Sequence, residues 1–386
     1  MTQPFKTTIG IIGGGQLGKM LIESAKPWNV SFNILEASTD CPCYAYADTF
    51  IEGSLMDAEK IKALAQISDV ITYEIEHVDV ATLKYLEAQG TQVIPSAHIL
   101  EIIQDKGKQK AFYKQHALAS SHYILTDPDQ AKMIDLSIFD GDQVVVKSCR
   151  GGYDGKGVSI MSKTSITNGT LVDVFKGEVI IEAFVPDVIE LSVIVARNSK
   201  GVVKSFPMVE MVFDPTMNLV DYLFAPSAVS SEITEDATTL AHNAIQALEG
   251  VGIFAVELFL TQDKTCLINE IAPRPHNSGH HTIEANYTSQ YEQLMRIMLE
   301  LPLGNTDLIT PAVMTNIVGS ADVVGDYKLE GIDELMSTPG AYLHWYNKSV
   351  SKPGRKMGHF TVLDKDLNAA IEKSHYLKSK LKTAQL

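Results

Sequence analysis

Cysteine is scarce in this 386-residue chain. There are four (Cys41, Cys43, Cys149, Cys266), and none makes a C-x-x-C pair. That excludes a disulfide scaffold and a cysteine zinc module, and it fits reduced thiols in a cytoplasmic protein. Positive charge is also in deficit: 32 Lys and Arg stand against 47 Asp and Glu, a net charge of −15. A nucleic-acid binder would carry a basic footprint, although local basic pockets remain open. No apolar run reaches the roughly 18 residues of a membrane-spanning helix, and the first residues lack the shape of a signal peptide. Internal repeats and low-complexity segments are missing too. What is present is ordinary for a soluble globular enzyme, 45% hydrophobic and 20% charged residues, in a length that allows two or three domains.

Residues 8–100 alternate short apolar runs with amphipathic segments, the pattern of an open parallel sheet. Strands are expected at Thr8–Ile12, Ser31–Leu35, Val70–Tyr73 and Gln92–Ile94, with helices near 57–66 and 80–89. The turn Gly13-Gly-Gly-Gln-Leu-Gly18 matches G-x-G-x-x-G, and Glu36 ends the second strand. Together they form a dinucleotide fingerprint. The alternative is that Gln16 and the amides at the helix start bind a single phosphate. Glu74 and Glu76 follow the third strand, where open sheets bind ligands, and alternation would put both on one face. Asp105-Lys-Gly-Lys-Gln-Lys110 then opens an amphipathic helix and marks the end of the first domain, 1–104.

Two stretches carry the strongest chemistry. In Gln143–Val158 an apolar strand delivers Lys147, a loop holding Gly151, Gly152, Gly155 and Gly157 follows, and a second strand begins at Val158. A loop without Cβ atoms lets backbone amides close on phosphates, and a plain turn would not need Tyr153, Asp154 and Lys156 as well. The other stretch is Leu267–Thr282, with Asn269, Glu270, Arg274, His276, His280 and His281. Glu257 lies thirteen positions before Glu270, across the turn Thr261–Lys264. A hairpin would place both carboxylates on one hard cation, as magnesium is held beside ATP. Between these stretches, Glu182 sits in the strand Val179–Val185, Glu190 opens the next, and Val202–Phe213 reads as one long strand. An apolar strand end can read an adenine edge, and a carboxylate just beyond can take ribose hydroxyls. Helices are expected at 232–248 and 289–301. From Pro302 the chain is mostly short strands and a final helix near 366–381. Asn347–Lys356 holds four cations in ten residues, suited to a phosphate pocket.

These motifs in combination resemble the N5-carboxyaminoimidazole ribonucleotide synthetases, ATP-grasp enzymes of purine biosynthesis. The resemblance rests on Gly13–Met20, Lys147 with Gly151–Gly157, Glu182–Val185, Glu190, Glu257 and Asn269–Gly279, and it runs from about residue 8 to 365. It implies an α/β (α+β) chain with an ATP-grasp fold. A Rossmann-like N-terminal parallel-sheet domain that holds no NAD would precede the ATP-grasp domain (105–301, glycine flap about 120–185). A small β-rich C-terminal domain (302–386) would follow. It further implies a homodimer, Mg-ATP with two magnesium ions, bicarbonate and 5-aminoimidazole ribonucleotide. Carried over by motif, the ATP contacts are Lys106, Lys147, Gly152, Tyr153, Asp154, Gly155, Lys156, Gly157, Val158, Glu182, Ala183, Phe184, Val185, Glu190, Phe213, Asn269 and Glu270, with Glu257 and Glu270 on the metal. Lys106 stands where many relatives have arginine, so a weaker phosphate contact is expected. Phe213 stands where histidine is common and is expected to pack on the nucleotide.

The expected reaction is in-line attack of bicarbonate on the γ-phosphate, formation of carboxyphosphate, and capture of its carbon by the 5-amino group. Arg274 would clamp bicarbonate or carboxyphosphate. His276 and Asn277 would move a proton or orient the reacting carbon, with Asp154 as a further catalytic candidate. Glu74, Glu76, Tyr153, Asp154 and Lys156 would surround the aminoimidazole nucleotide, and Gln16, Lys348 and Arg355 would hold its 5′-phosphate. The nearest rival is another ATP-grasp ligase, such as the formate-dependent glycinamide ribonucleotide transformylase. A biotin-carboxylating subunit would need a biotinyl-carrier region that is not seen. An oxidoreductase and a non-catalytic nucleotide-binding regulator are the rivals from other classes.

Overall fold

A computed structural model describes residues 4–152 and 157–386. The N-terminal strands form a parallel five-stranded sheet in the order Thr49–Glu52, Ser31–Glu36, Thr8–Ile12, Val70–Tyr73, Gln92–Val93. Thr49–Glu52, half-exposed at the sheet edge, is a strand that the apolar pattern did not mark. The helix Gln16–Ala25 leaves the glycine turn and buries Leu17, Met20, Leu21 and Ile22 against the sheet.

A four-stranded antiparallel sheet follows, in the order Tyr123–Thr126, Val179–Ala183, Gln143–Ser148, Val158–Ser162. The glycine loop connects its last two strands, and the Ser148 amide donates to the Gly157 carbonyl across the loop's base (2.8 Å).

The third sheet has nine strands. Its longest pairing is the antiparallel one between Ile189–Arg197 and Gly252–Leu260. The second of these reads Gly-Ile-Phe-Ala-Val-Glu-Leu-Phe-Leu and is buried on both faces except at Glu257 and Phe259. Helix Ser231–Ala247 covers one face through Ala237, Ala241, Ala244 and Ile245, and Gln290–Met298 covers the other through Leu294, Met295 and Met298. Each helix begins with a serine whose hydroxyl accepts from the third helical amide. In the second, Ser289 and Glu292 have the spacing of a capping box.

One reading of local structure is corrected, and one strand is added. Val202–Phe213 is two strands, Val203–Ser205 and Val209–Asp214, because the ladder against Ile189–Arg197 is interrupted at Phe206-Pro-Met208, where proline cannot donate. Leu219–Ala225 is a strand missed in the sequence. It pairs with Val209–Asp214 on one side and with Ala312–Val318 on the other. Through that second pairing the C-terminal strands Ala312–Val318, Lys356–Leu363 and Ala341–Trp345 extend the central sheet.

Candidate active site

The two carboxylates of the central hairpin face one another. Glu257 and Glu270 are register partners, and Asn269 is an extra residue on its strand, since the next rung is Leu258 with Ile268. A bulge of this kind re-aims side chains. Asn269 and Glu270 consequently both meet lysines: Lys147 Nζ lies 3.3 Å from Asn269 Oδ1, and Lys106 pairs with Glu270 Oε2. Lys106 is the first residue of the helix Lys106–Gln115, whose N-cap Asp105 accepts from the Lys108 amide at 3.1 Å. The lysine ammonium holds the Glu270 carboxyl well below the usual range. Burial pushes Glu257 up, reinforced by the negative charges of Glu270 and Glu190. Glu190 is itself pushed up to about 7 by burial.

Behind this pair lies a charge network not foreseen as such. Glu182 is 4% exposed and receives Lys147 at 3.0 Å, Lys110 at 2.9 Å and the Ser121 hydroxyl at 2.6 Å. Burial would raise its pKa, but the two lysines outweigh that and hold it at about 2. Glu182 therefore sets Lys147 in place from below. The strand ends at Ala183, so Phe184 and Val185 lie beyond the last rung. Phe213 is partly buried against the cluster Val209, Met211, Val220 and Leu223. Gly152, Gly157 and Val158 flank the glycine loop; Tyr153, Asp154, Gly155 and Lys156 lie outside the described residues.

Past the hairpin, Pro273–His276 has no regular structure. Arg274 Nε lies 3.1 Å from Glu76 Oε1, tying this loop to the N-terminal domain. His276 Nε2 lies 3.2 Å from Glu257 Oε1, and its Nδ1 lies 2.9 Å from the Ser278 hydroxyl. Burial and the neighbouring Arg274 drop the ring to about 3. Asn277 is a correction. Its amide nitrogen donates to Asn316 Oδ1 (2.9 Å) and its oxygen accepts from Asn316 Nδ2 (3.0 Å), so both polar ends are spent on the central sheet. A column of imidazoles behind the loop went unread in the sequence. His280 packs on His359 at 4.6 Å and His359 on His344 at 4.5 Å between centroids, and His344 Nε2 meets Glu284 at 2.6 Å. His344 and His359 are register partners in the strand pair Ala341–Trp345 and Lys356–Leu363, so only sheet pairing reveals the stack.

The glycine turn is a second correction. Its amides are taken: Gly15, Leu17 and Gly18 donate to Glu74 (2.8, 3.2 and 3.3 Å), and Gly14 donates to Glu36 (2.8 Å). A Cβ on Gly15 would lie 2.5 Å from the Glu74 carboxylate. The helix start is thus stabilised by a carboxylate of its own domain and does not offer these amides to a phosphate or dinucleotide. The shared face expected for Glu74 and Glu76 fails for a simple reason: the strand ends at Tyr73 and alternation stops there. Glu74 turns to the amides and Glu76 to Arg274.

The basic loop 346–356 joins Ala341–Trp345 to Lys356–Leu363 and lies against the N-terminal domain. Lys19 donates to the Trp345 carbonyl (2.7 Å) and Ser349 to Asp40 (2.6 Å). These contacts hold the loop that carries Lys348 and Arg355 against the helix Gln16–Ala25 and the segment after Ser31–Glu36. Within the loop Lys348 Nζ donates to the Lys356 carbonyl (2.8 Å) and Arg355 to the Val350 carbonyl (2.6 Å).

Comparison with known proteins fits this geometry. Residues 6–104 match the ribonucleotide synthetase preATP-grasp domain, 111–291 the ATP-grasp domain, and 312–373 the phosphoribosylaminoimidazole carboxylase C-terminal domain. The N5-carboxyaminoimidazole ribonucleotide synthase of Bacillus subtilis is 37% identical over 92% of this chain and 91% of its own. The crystal structure of the Thermotoga maritima synthetase is 42% identical, with a TM-score of 0.86 over 98% of this chain and 100% of that one. The chain belongs to the N5-carboxyaminoimidazole ribonucleotide synthase family. The synthase of Aspergillus clavatus, solved in complex with ADP and 5-aminoimidazole ribonucleotide, matches at 30% identity with a TM-score of 0.88, over 98% of this chain and 99% of that one. The chloroplastic phosphoribosylaminoimidazole carboxylase of Vigna aconitifolia is 37% identical over 95% of this chain, which spans 65% of that longer protein. Family members are ATP-dependent ligases, and this chain carries the family's three domains in the family's order. Among the described residues no helix is long and apolar enough to cross a membrane.

Proposed function

We propose that the protein couples cleavage of ATP to carboxylation of the 5-amino group of 5-aminoimidazole ribonucleotide by bicarbonate. The products are N5-carboxyaminoimidazole ribonucleotide, ADP and phosphate. The observation that carries this reading is the continuity of one strand and loop. Asn269 and Glu270, met by Lys147 and Lys106, run within seven residues into Arg274 and His276. A nucleotide's phosphates over the lysines would have their γ end beside a guanidinium whose planar fork matches bicarbonate.

Glu257 and Glu270 fit Mg2+. They are opposed, part-buried and oxygen-only, and the crowding of Glu190, Glu257 and Glu270 that raises Glu257 is what a divalent cation relieves. Bound there, two Mg2+ ions would offset the charge of the triphosphate. Lys147, set by Glu182, and Lys106 bind phosphate oxygens, and Arg274 orients bicarbonate for in-line attack. The bicarbonate oxygen forms a bond to the γ-phosphorus as the bond to the ADP oxygen breaks, a transfer accelerated mainly by positioning and electrostatics. The resulting carboxyphosphate releases CO2 and phosphate beside the ribonucleotide, whose amine attacks the carbon. His276, so reluctant to take a proton, suits a hydrogen-bonding role; the released phosphate is then the base that accepts the amine proton. Gln16, Lys348 and Arg355 hold the 5′-phosphate. The glycine loop closes over the site and keeps water from the intermediate. The family resemblance also supports a homodimer.

The test is ADP release by the purified protein with magnesium, ATP and bicarbonate, with and without 5-aminoimidazole ribonucleotide. Strong dependence on the ribonucleotide is expected. Dependence instead on formate and glycinamide ribonucleotide would overturn the assignment.

A further inference from the structure

Pro273–His276 carries Arg274 and His276 yet belongs to no helix or strand. Its backbone polar groups need partners, since buried ones are rarely left unmade. Gln290 supplies those of His276. It is the first residue of the helix Gln290–Met298 and is 0% exposed. Its Oε1 accepts from the His276 amide at 2.9 Å, and its Nε2 donates to the His276 carbonyl at 2.8 Å. One carboxamide thus pairs with both polar groups of a single residue, as a neighbouring strand would.

The clamp is tight on each side. A Cβ on Gly279 would lie 2.4 Å from Gln290 Oε1, so the loop wraps directly on the carboxamide. The Gln290 amide donates to the Thr282 hydroxyl (2.9 Å), which donates to the Gly279 carbonyl (2.6 Å). Gln290 Nε2 also lies 3.3 Å from His280 Nδ1, and the next helix residue, Tyr291, places its hydroxyl 3.0 Å from the same nitrogen. Both ends of the turn 276–282 are therefore registered to one rigid helix. That helix is packed on the central sheet by Leu294, Met295 and Met298.

We infer that Gln290 is a positioning residue for the proposed carboxylation: its carboxamide fixes the backbone of His276 and thereby aims His276 and Arg274 at the reacting carbon. Only a primary amide of this length both accepts and donates here. A carboxylate keeps the bond from the His276 amide and loses the donation to its carbonyl. The inference rests on the function proposed above, and two readouts separate the failure of each.

The variants are Gln290→Ala and Gln290→Glu in the full chain. The first readout needs no turnover: the His276 imidazole Cε1–H resonance, assigned by its loss in His276→Gln. In Gln290→Ala this signal is expected to shift and broaden while the His242 resonance stays in place. The second is steady-state kinetics with ATP, bicarbonate and 5-aminoimidazole ribonucleotide. For Gln290→Ala, kcat is expected to fall about 100-fold, the scale of an ångström-sized misplacement. The KM for ATP should remain within twofold and the stoichiometry of ADP binding at one per chain. Gln290→Glu should lie between. An unmoved His276 signal, or a kcat that falls only in proportion to the ADP-binding fraction, overturns the inference. Wild-type protein that shows no ribonucleotide-dependent ADP release overturns the functional reading instead, and the resonance then decides the positioning role alone.

Discussion

The proposed nucleotide side of the site and the proposed ribonucleotide side are built from opposite materials. On the first, ion pairs set the geometry: Glu182 under Lys110 and Lys147, and Glu270 under Lys106, all on strands or the helix Lys106–Gln115. On the second, Pro273–Thr282 is a loop with a single 3-10 turn at Asn277–Gly279, fixed mainly by neutral groups, Gln290 to His276 and Asn316 to Asn277, with the imidazole column His280, His359, His344 behind it. The physical reason lies in what each side must face. A triphosphate and its cation bring charges that fixed ions can match. Carbon dioxide, released in the proposed reaction, is neutral, and a buried charge beside it would have to be desolvated without a partner. Arg274 is the exception, and it is held in check by Glu76.

Breaking the ribonucleotide side should stop chemistry and spare ATP. Arg274→Ala is expected to lower turnover about a thousandfold with ATP affinity unchanged, as read by steady-state kinetics and nucleotide titration; unchanged turnover removes Arg274 from the mechanism. Breaking the nucleotide side should instead unfold the protein. Glu182→Ala leaves Lys110 buried without its carboxylate and is expected to cost about 3–5 kcal/mol in urea denaturation. A loss below about 1 kcal/mol would show that the network contributes little to stability.

The loop 346–356 gives a smaller effect. Lys348→Ala or Arg355→Ala should raise the KM for the ribonucleotide by about tenfold, one charge-assisted contact, without moving the KM for ATP. A change confined to ATP would put the 5′-phosphate elsewhere. The smallest effect is in pH. Burial drops His281 to about 4 and His280 and His359 well below the usual range. The unfolded chain therefore takes up protons near pH 6.5 that the folded one refuses, so stability rises with pH between about 4 and 6.5 and is lost on acidification. Glu190, raised to about 7, works against this trend. His281→Asn should shallow the slope in that window by about 1.4 kcal/mol per pH unit, one proton's worth. An unaltered slope would mean that the ring is already protonated in the fold.

Much of the site was legible because its residues are close in sequence. The spacing of Glu257 and Glu270 around a four-residue turn announces a hairpin, and the register confirms that they oppose. The glycine turn was legible as a turn, but its amides looked available. Their occupant, Glu74, arrives from more than fifty residues away, and nothing in the local pattern marks it. Asn277 misled for the same reason: its partner is Asn316. The edge strand Thr49–Glu52 was missed because a half-exposed edge needs no apolar signature.

The sequence by itself determined the elements whose cause is local: alternating strands and helices, serine and aspartate caps, the glycine loop, the carboxylate hairpin, and the combination of motifs that marks the family. Only the tertiary structure decided which polar groups are spent holding the protein together and which remain to face a ligand. Periodicity reports burial along one element, whereas satisfaction of a buried donor or acceptor depends on whichever distant side chain the fold brings to it. The pairing of Gln290 with His276 is such a case, made by a helix start that packs beside the loop it holds.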